Sequence, residues 1–566
     1  MSIYVLGIWI AIILVLLVTA GAVVGALIGT NVIRVGSKSD SASDTSSDSG
    51  SGTGGADGSG SSPGGGPSTA GQATATATSG SSAPKPTTCT KPESIPSTAK
   101  GTSMDPTSWL DMTDFNCTFT DKTVGGLPIV GLNSTWDDSA RANQNVPRLN
   151  QKWGSYATRP IRGVSIGGWL SLEPFITPSL FSDSLVDEYS LCKHLGKDAA
   201  STLEKHYSTF ITERDFKRIA DSGLDHVRIP FSYWAVRTYE GDPYVASVSW
   251  RYLLRGIEWA RRYGLRVKLD LHGMPGSQNG WNHSGRQGTV GWLVGPDGKV
   301  NAQRTLDIHD QLSKFFAQDR YKNVVALYGL GNEPAKVIPQ DALIEWTEAA
   351  YKIVHDNGVG AIQVFSEAIR GLEAWKGKLQ GHGDNLVVDV HEYTIFDDGL
   401  IGLKHSARVD FACTAFAGGM TSSMDTSTGF GPTIVGEWSQ ADTDCTLYLN
   451  GVGNGARWAG TFFSGDGGPE PKCPTLDSRC DCDKANADPS TFSRSYKLFL
   501  QTWAEAQMSA FEKSWGWFYW TWKTETAYLW SYEAGLDGEF LPALAYKPDW
   551  DCSKPVPSFG DLPEFY

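Results

Sequence analysis

Two glutamates close short apolar runs that read as buried β-strands: Glu333, in the stretch from Val324 to Pro334, and Glu437, in the stretch from Pro432 to Trp438. A carboxylate at the C-terminal end of a parallel strand is held by rigid backbone and faces a cleft. Two of them, carried by different strands, are the equipment for breaking a glycosidic bond. Either glutamate alone would pass for a solvated strand end. Together, with the groups around them, they point to sugar hydrolysis.

Those other groups also sit at the ends of apolar runs. Arg228 lies in the run 227–230, and Asp270 and His272 lead into a loop at 273–281. Asn332 precedes Glu333, His391 and Tyr393 end a later run, and Trp520 and Trp522 end the last. Arg228 and His272, taken singly, read equally well as hydrogen-bonded structural residues. Even then they would tune the glutamates, because an arginine near a carboxylate lowers its pKa.

Eight apolar, β-rich runs must position these ends: 163–166, 226–229, 267–271, 325–330, 362–365, 386–390, 433–435 and 516–520. Between several lie segments of helical period, at 250–263, 304–318 and 342–355. Another opens on a capping box, Thr212 with Asp215, and closes at Gly223. Eight strands joined by helical crossovers predict an α/β fold, a (β/α)8 barrel. A doubly wound open sheet would show a Gly-rich phosphate turn after the first strand, and 163–169 lacks the helix and spacing for one.

A formal net charge of -14 over 566 residues argues against nucleic acid or an anionic membrane surface as partner. Of the 21 tryptophans some must be core, and an excess near the glutamates would fit stacking on sugar rings. Nine cysteines, with sequons starting at Asn116, Asn133 and Asn282, indicate an oxidising, extracytoplasmic compartment. The odd count leaves a free thiol or an intermolecular bridge. Cys473, Cys480 and Cys482 read as disulfides in a loop insertion rather than a metal site, since no His or fourth Cys has suitable spacing.

Residues 1–35 are expected to be a transmembrane signal-anchor. Residues 3–28 are almost wholly apolar, more than the about 20 residues that cross a bilayer. The rival is a signal peptide cut near Ala20-Gly21-Ala22, in which case the protein is secreted. Arg34 and Lys38 would hold the following side in the cytoplasm. Sequons and cysteines require the opposite, so a type II single-pass orientation is expected, which a basic stretch upstream of Met1 would reconcile. Residues 36–88, rich in Ser, Gly and Thr, cannot bury a core and should form a disordered tether with an r.m.s. span of roughly 40 Å. Residues 89–160 are expected to pack on the barrel as an extension, with the barrel domain at 161–566 and the whole acting as a monomer.

The stretch from Arg162 to Phe181 resembles the first strand and loop of fungal exo-1,3-β-glucanases in glycoside hydrolase family 5. Gly-Asn-Glu-Pro at 331–334, His-Glu-Tyr at 391–393 and Gly-Glu-Trp at 436–438 extend the resemblance over about residues 161–530. The apolar segment and stalk are similar to a membrane-bound, D-type subgroup. The resemblance implies Glu333 as acid/base and Glu437 as nucleophile, with Asn332 on the sugar 2-hydroxyl. It implies that Arg228 and His272 support Glu437, that His391 and Tyr393 line the nucleophile's side, and that Trp520 floors the reacting sugar. Glu173, Trp281, Asn282 and Phe396 complete the implied substrate contacts.

One departure stands out. Family members usually carry Asp-Asn after the aromatic of the third loop, where this chain has Asn282-His283. A charge-assisted hydrogen bond is lost there, and Asn282 opens a sequon whose glycan would obstruct the pocket.

The implied chemistry is a double displacement with carboxyl groups about 5–5.5 Å apart. Glu437 attacks the anomeric carbon, while Glu333, kept protonated by partial burial and a nearby negative charge, protonates the departing oxygen. No metal or organic cofactor is required. Trp169, Trp281, Trp438 and Trp520 read as stacking platforms for glucose or, for several of them, simply as core, with Trp520 the strongest candidate for a sugar contact. The expected function is release of glucose from non-reducing ends of β-1,3-glucan in a fungal cell wall. The alternatives are the same chemistry on β-1,6-glucan or in endo mode, and a non-catalytic glucan-binding protein.

Overall fold

In the computed structural model, which describes residues 89–110, 117–132, 135–462, 470–483 and 485–565, eight parallel strands close into a barrel. They are β1 (Ile161–Ser165), β2 (His226–Phe231), β3 (Arg266–Leu271), β4 (Val325–Gly329), β5 (Ile362–Ser366), β6 (Leu386–Glu392), β7 (Thr433–Trp438) and β8 (Gly516–Tyr519). Each pairs with the next in sequence, and β8 closes on β1 with Gly516 opposite Ile161. The expected (β/α)8 architecture is therefore the observed one. Every residue of β2, β3 and β7 is buried, as befits strands covered on both faces.

The barrel's lower interior is filled, so chemistry is confined to the opposite mouth. Ile161, Leu327, Val364, Val387, Ile434 and Phe518 form a cluster there, capped by Trp153 and Trp515. Gly163 makes room for it, since a Cβ there would lie 2.4 Å from the Phe518 ring. A buried ion pair, Lys268 Nζ to Asp389 Oδ2 at 2.5 Å, joins β3 to β6. Gly436, beside Glu437, must lack a side chain because a Cβ would stand 2.1 Å from Asp389 Oδ1.

The capping box at Thr212 and Asp215 forms as expected and opens the helix Glu213–Asp221. The helices Val248–Arg262, Gly298–Phe316 and Gln340–Asp356 begin earlier than their apolar period, because polar first turns carry no hydrophobic signal. The last two crossovers went unmarked in the sequence. One runs from His405 to Met424 with a π-turn at Ala412–Phe416, and its Gly- and Ser-rich end has little amphipathic pattern. The other is the helix Arg494–Phe511.

Disulfides join Cys89 to Cys117, Cys413 to Cys552, Cys445 to Cys482 and Cys473 to Cys480. All three cysteines of the insertion are thereby consumed, and Cys192 is a buried free thiol.

Described parts of 89–160 pack on the barrel's helices. Trp250 Nε1 donates to Pro128 O at 2.9 Å, the Arg251 guanidinium lies 4.7 Å from the Trp109 ring centroid, and Arg261 bonds Asp138. The apolar segment 1–35, the tether 36–88 and the sequon residues Asn116 and Asn133 lie outside the described residues. Among the described residues no helix is long and apolar enough to cross a membrane.

Candidate active site

Glu437 is built into β7 and gripped by fixed partners. Arg228, in β2 and wholly buried, reaches Glu437 Oε1 with Nη1 at 2.6 Å. Its Nη2 meets Asn332 Oδ1 at 2.7 Å and Asp270 Oδ2 at 3.0 Å. Burial alone would loosen the arginine's proton, but Asp270, Glu437 and Asp389 outweigh it and raise the pKa. The positive charge beside Glu437 is therefore permanent. The Tyr393 hydroxyl donates to Glu437 Oε2 at 3.0 Å. His272 does not touch Glu437, contrary to expectation. Its Nδ1 bonds Asp270 Oδ2 at 2.8 Å, so any support passes through Asp270 and Arg228.

Glu333 is held quite differently. It lies beyond the end of β4 with φ 45°, a left-handed backbone uncommon outside glycine. Gln278 braces this turn, donating from Nε2 to His272 O at 2.7 Å and Asn332 O at 2.8 Å and so joining the loops after β3 and β4. Nothing in the sequence singled out Gln278, since its partners are backbone carbonyls. Glu333 Oε1 lies 2.5 Å from His391 Nδ1, and Oε2 lies 3.3 Å from His283 Nε2. His391 Nδ1 is also 3.5 Å from Glu437 Oε2. A carboxylate oxygen of Glu333, one of Glu437 and a ring nitrogen of His391 lie within 4.8 Å of one another. Contacts among the three already satisfy these atoms, and we read the trio as a proton-sharing group rather than a metal centre.

This arrangement corrects the expected protonation of Glu333. Burial disfavours its anion, but the charge and hydrogen bond of His391, with His283 and His272 nearby, win and lower its pKa. Burial likewise opposes a charged His391, yet Glu437, Glu333 and Asp389 raise its pKa. The two shifts run in opposite directions and favour an ion pair of Glu333 and His391 across their 2.5 Å contact. His391 thus lies on the Glu437 side, as expected, and in addition bonds Glu333.

Several polar atoms around the carboxylates have no hydrogen-bond partner although buried: Glu173 Oε1, His272 Nε2 and Asn332 Nδ2. Glu173 Oε1 and His272 Nε2 are 3.9 Å apart. Burial, then the charges of Glu437 and Glu333, push the Glu173 carboxyl well above the usual range, which keeps it neutral and able to donate. Trp520 lies beneath, its ring parallel to His272 at 5.5 Å and under Arg228 at 5.3 Å. The Trp520–Thr521 peptide is cis.

Two aromatic rings stand at the rim. Trp281 is 46% exposed and Phe396 42%, the latter edge-on to Tyr393 at 5.5 Å. Trp169 and Trp438, read as sugar platforms or core, are fully buried core. Trp169, in the turn after β1, stacks on Trp259, and Trp438, at the end of β7, packs on Phe511, Trp517 and Tyr519. Trp522 likewise turns inward, donating to Asp215 Oδ1 at 3.1 Å. Asn282 is half-buried in a single turn, Asn282–Ser284, fixed by Ser284 Oγ bonded to Ser277 Oγ at 2.6 Å. This third loop therefore does lie at the site, through His283.

Residues 192–451 match the family model described as cellulase (glycosyl hydrolase family 5). The matched stretch runs from a helix between β1 and β2 to the loop after β7. Over 483 residues the chain is 58% identical to the "Probable glucan 1,3-beta-glucosidase D" of Aspergillus clavatus, covering 84% of this chain and 58% of that protein. The protein of the same description from Aspergillus niger is 56% identical over 481 residues, with coverage of 84% and 58%. The chain spans about 58% of the length of these curated relatives. The crystal structure of rutinosidase from Aspergillus niger shares the fold, with TM-score 0.51 and 19% identity over 68% of this chain and 98% of that one.

Proposed function

We propose that the protein is a retaining glycosidase that releases glucose from non-reducing ends of β-1,3-glucan. The observation that carries this is the approach of the two carboxylates, with oxygens within 4.8 Å. Inverting enzymes hold their carboxyl groups about 6.5–9.5 Å apart to admit a water, whereas a covalent route needs the shorter spacing. Glu437, ionised and gripped by Arg228 and Tyr393, attacks the anomeric carbon and forms the glycosyl ester. His391 passes its proton to Glu333 across their 2.5 Å contact, and Glu333 delivers it to the departing oxygen. Glu333 and His391 then accept a proton from the water that opens the ester. Glu173, His272 and Asn332 bind hydroxyls of the reacting sugar over Trp520, and Trp281 and Phe396 flank the next one.

The description of the relatives supports the 1,3 linkage. Asn282 keeps a second reading in view, β-1,6 cleavage or endo mode, because the usual acidic grip on terminal hydroxyls is missing. Products from laminarin and pustulan separate the two. Residues 1–35 serve as a type II anchor and 36–88 as a tether, as in the D-type subgroup, so that the catalytic head faces the wall. Asn116 and Asn133 carry glycans, whereas Asn282 stays bare because its neighbour His283 touches Glu333; intact-glycopeptide mass spectrometry tests this assignment. The decisive experiment is Glu437→Gln with laminarin. Glucose release should vanish while the protein stays folded, and a 2-fluoroglucoside should label Glu437 in the wild type. Retained activity in the variant sinks the proposal.

A further inference from the structure

His283 has no role in the mechanism above, yet its ring stands against Glu333. It occupies the oxygen His391 leaves free, with Nε2 3.3 Å from Oε2. Its ring lies between the exposed Trp281, at 5.5 Å, and His272, at 5.4 Å, bridging the rim and the floor of the site. Burial, together with the positive surroundings of His272, His391 and Arg228, lowers its pKa to about 4 against the pull of Glu333. The ring is therefore neutral and carries a single N–H. Facing a carboxylate, which can only accept, that proton belongs on Nε2. Nδ1 is then a bare acceptor, and it is buried without a hydrogen-bond partner. Buried acceptors are nearly always satisfied, so one left empty beside a reactive carboxylate awaits a donor.

We propose that His283 is a positioning residue for proton transfer and a substrate contact in one: Nε2–H fixes Oε2 of Glu333, and Nδ1 accepts a hydroxyl of the bound glucan. This rests on the glycosidase reading and deepens it. A neutral donor on Oε2 orients Glu333 without competing for its proton, which is left to the charged His391 on Oε1. The glucan hydroxyl, once bound at Nδ1, locks the imidazole in that tautomer and so aligns the acid only when substrate is present.

The test compares His283→Ala and His283→Gln with the wild type on two substrates. Laminaribiose leaves poorly and needs an acid, whereas 2,4-dinitrophenyl β-glucoside leaves without one. His283→Ala should lower kcat/KM on laminaribiose about 10- to 100-fold, in the range of a weakened general acid, and change kcat/KM on the activated glucoside, which reports formation of the glycosyl ester alone, little. His283→Gln, whose amide offers a donor and an acceptor, should recover part of the loss. Equal losses on both substrates, or none on either, overturn the proposal. A second measurement is independent of turnover. In 15N-histidine-labelled Glu437→Gln protein, His283 should appear as the neutral Nε2–H tautomer at neutral pH, and its Nδ1 resonance should move on adding laminaribiose. A protonated ring or an Nδ1–H tautomer overturns the proposal even if the wild type cleaves neither substrate, an outcome that would by itself count only against the glycosidase reading.

Discussion

The two carboxylates differ in what holds them. Glu437 sits inside a strand, and its main partner is an arginine that never releases its proton. Glu333 sits on a turn of left-handed backbone between two imidazoles, one raised and one lowered in pKa. On the proposed mechanism, the group that must stay ionised is paired with a fixed charge, while the group that must gain and lose a proton is paired with titratable ones. Environment rather than residue type separates the two roles.

The comparison is broken most severely at the carboxylates themselves. Glu437→Gln should lose about 10,000-fold or more on every substrate, in line with removal of a nucleophile. Glu333→Gln should lose as much on laminarin yet still form the glycosyl-enzyme from the dinitrophenyl glucoside, visible as a burst of phenolate. If the two variants fail alike on both substrates, the roles are not divided as described.

Arg228→Met leaves Glu437 and Asp270 buried without their cation. Breaking a buried pair costs about 3–5 kcal/mol, which a denaturant titration should register together with loss of activity. Unchanged stability would mean that water reaches the pair. Tyr393→Phe removes one hydrogen bond to a charged group, about 1.5–3 kcal/mol. Glucose release should fall between about 10- and 100-fold, chiefly in kcat.

The smallest effect at the pH optimum concerns His391, and it is read as a pH profile. In the wild type the pair of Glu333 and His391 keeps its one proton until pH rises through the raised pKa of His391. Activity should therefore persist into the alkaline range and fall only there. His391→Asn leaves Glu333 to hold the proton alone, so the alkaline limb of kcat/KM should move to lower pH. A limb that stays in place would show that His391 does not store the proton.

Of the site, the sequence exposed what is local. Glu333, Glu437, Arg228, Asn332 and Tyr393 could be named because each closes an apolar run, and strand ends of a parallel barrel converge on one mouth. Trp169 and Trp438 lie in the same motifs yet are core, an alternative the sequence left open. The direction in which a ring turns depends on the helices packed behind the strand, and nothing in a short window reports that. The contacts of His283 and Gln278 were hidden for a related reason: Glu333 and Asn332 lie fifty or more positions away in the chain, and neither residue type nor local period forecasts such a meeting.

The chain by itself determined the barrel, because eight buried β-rich runs at crossover spacing admit few other closed arrangements. It also fixed which acids face the mouth. Tertiary structure alone decided which cysteines pair, which tryptophans are core, and where the proton of the acid/base pair resides. Those outcomes depend on distances of a few ångströms between elements far apart in sequence, and electrostatic and packing energies change steeply on that scale.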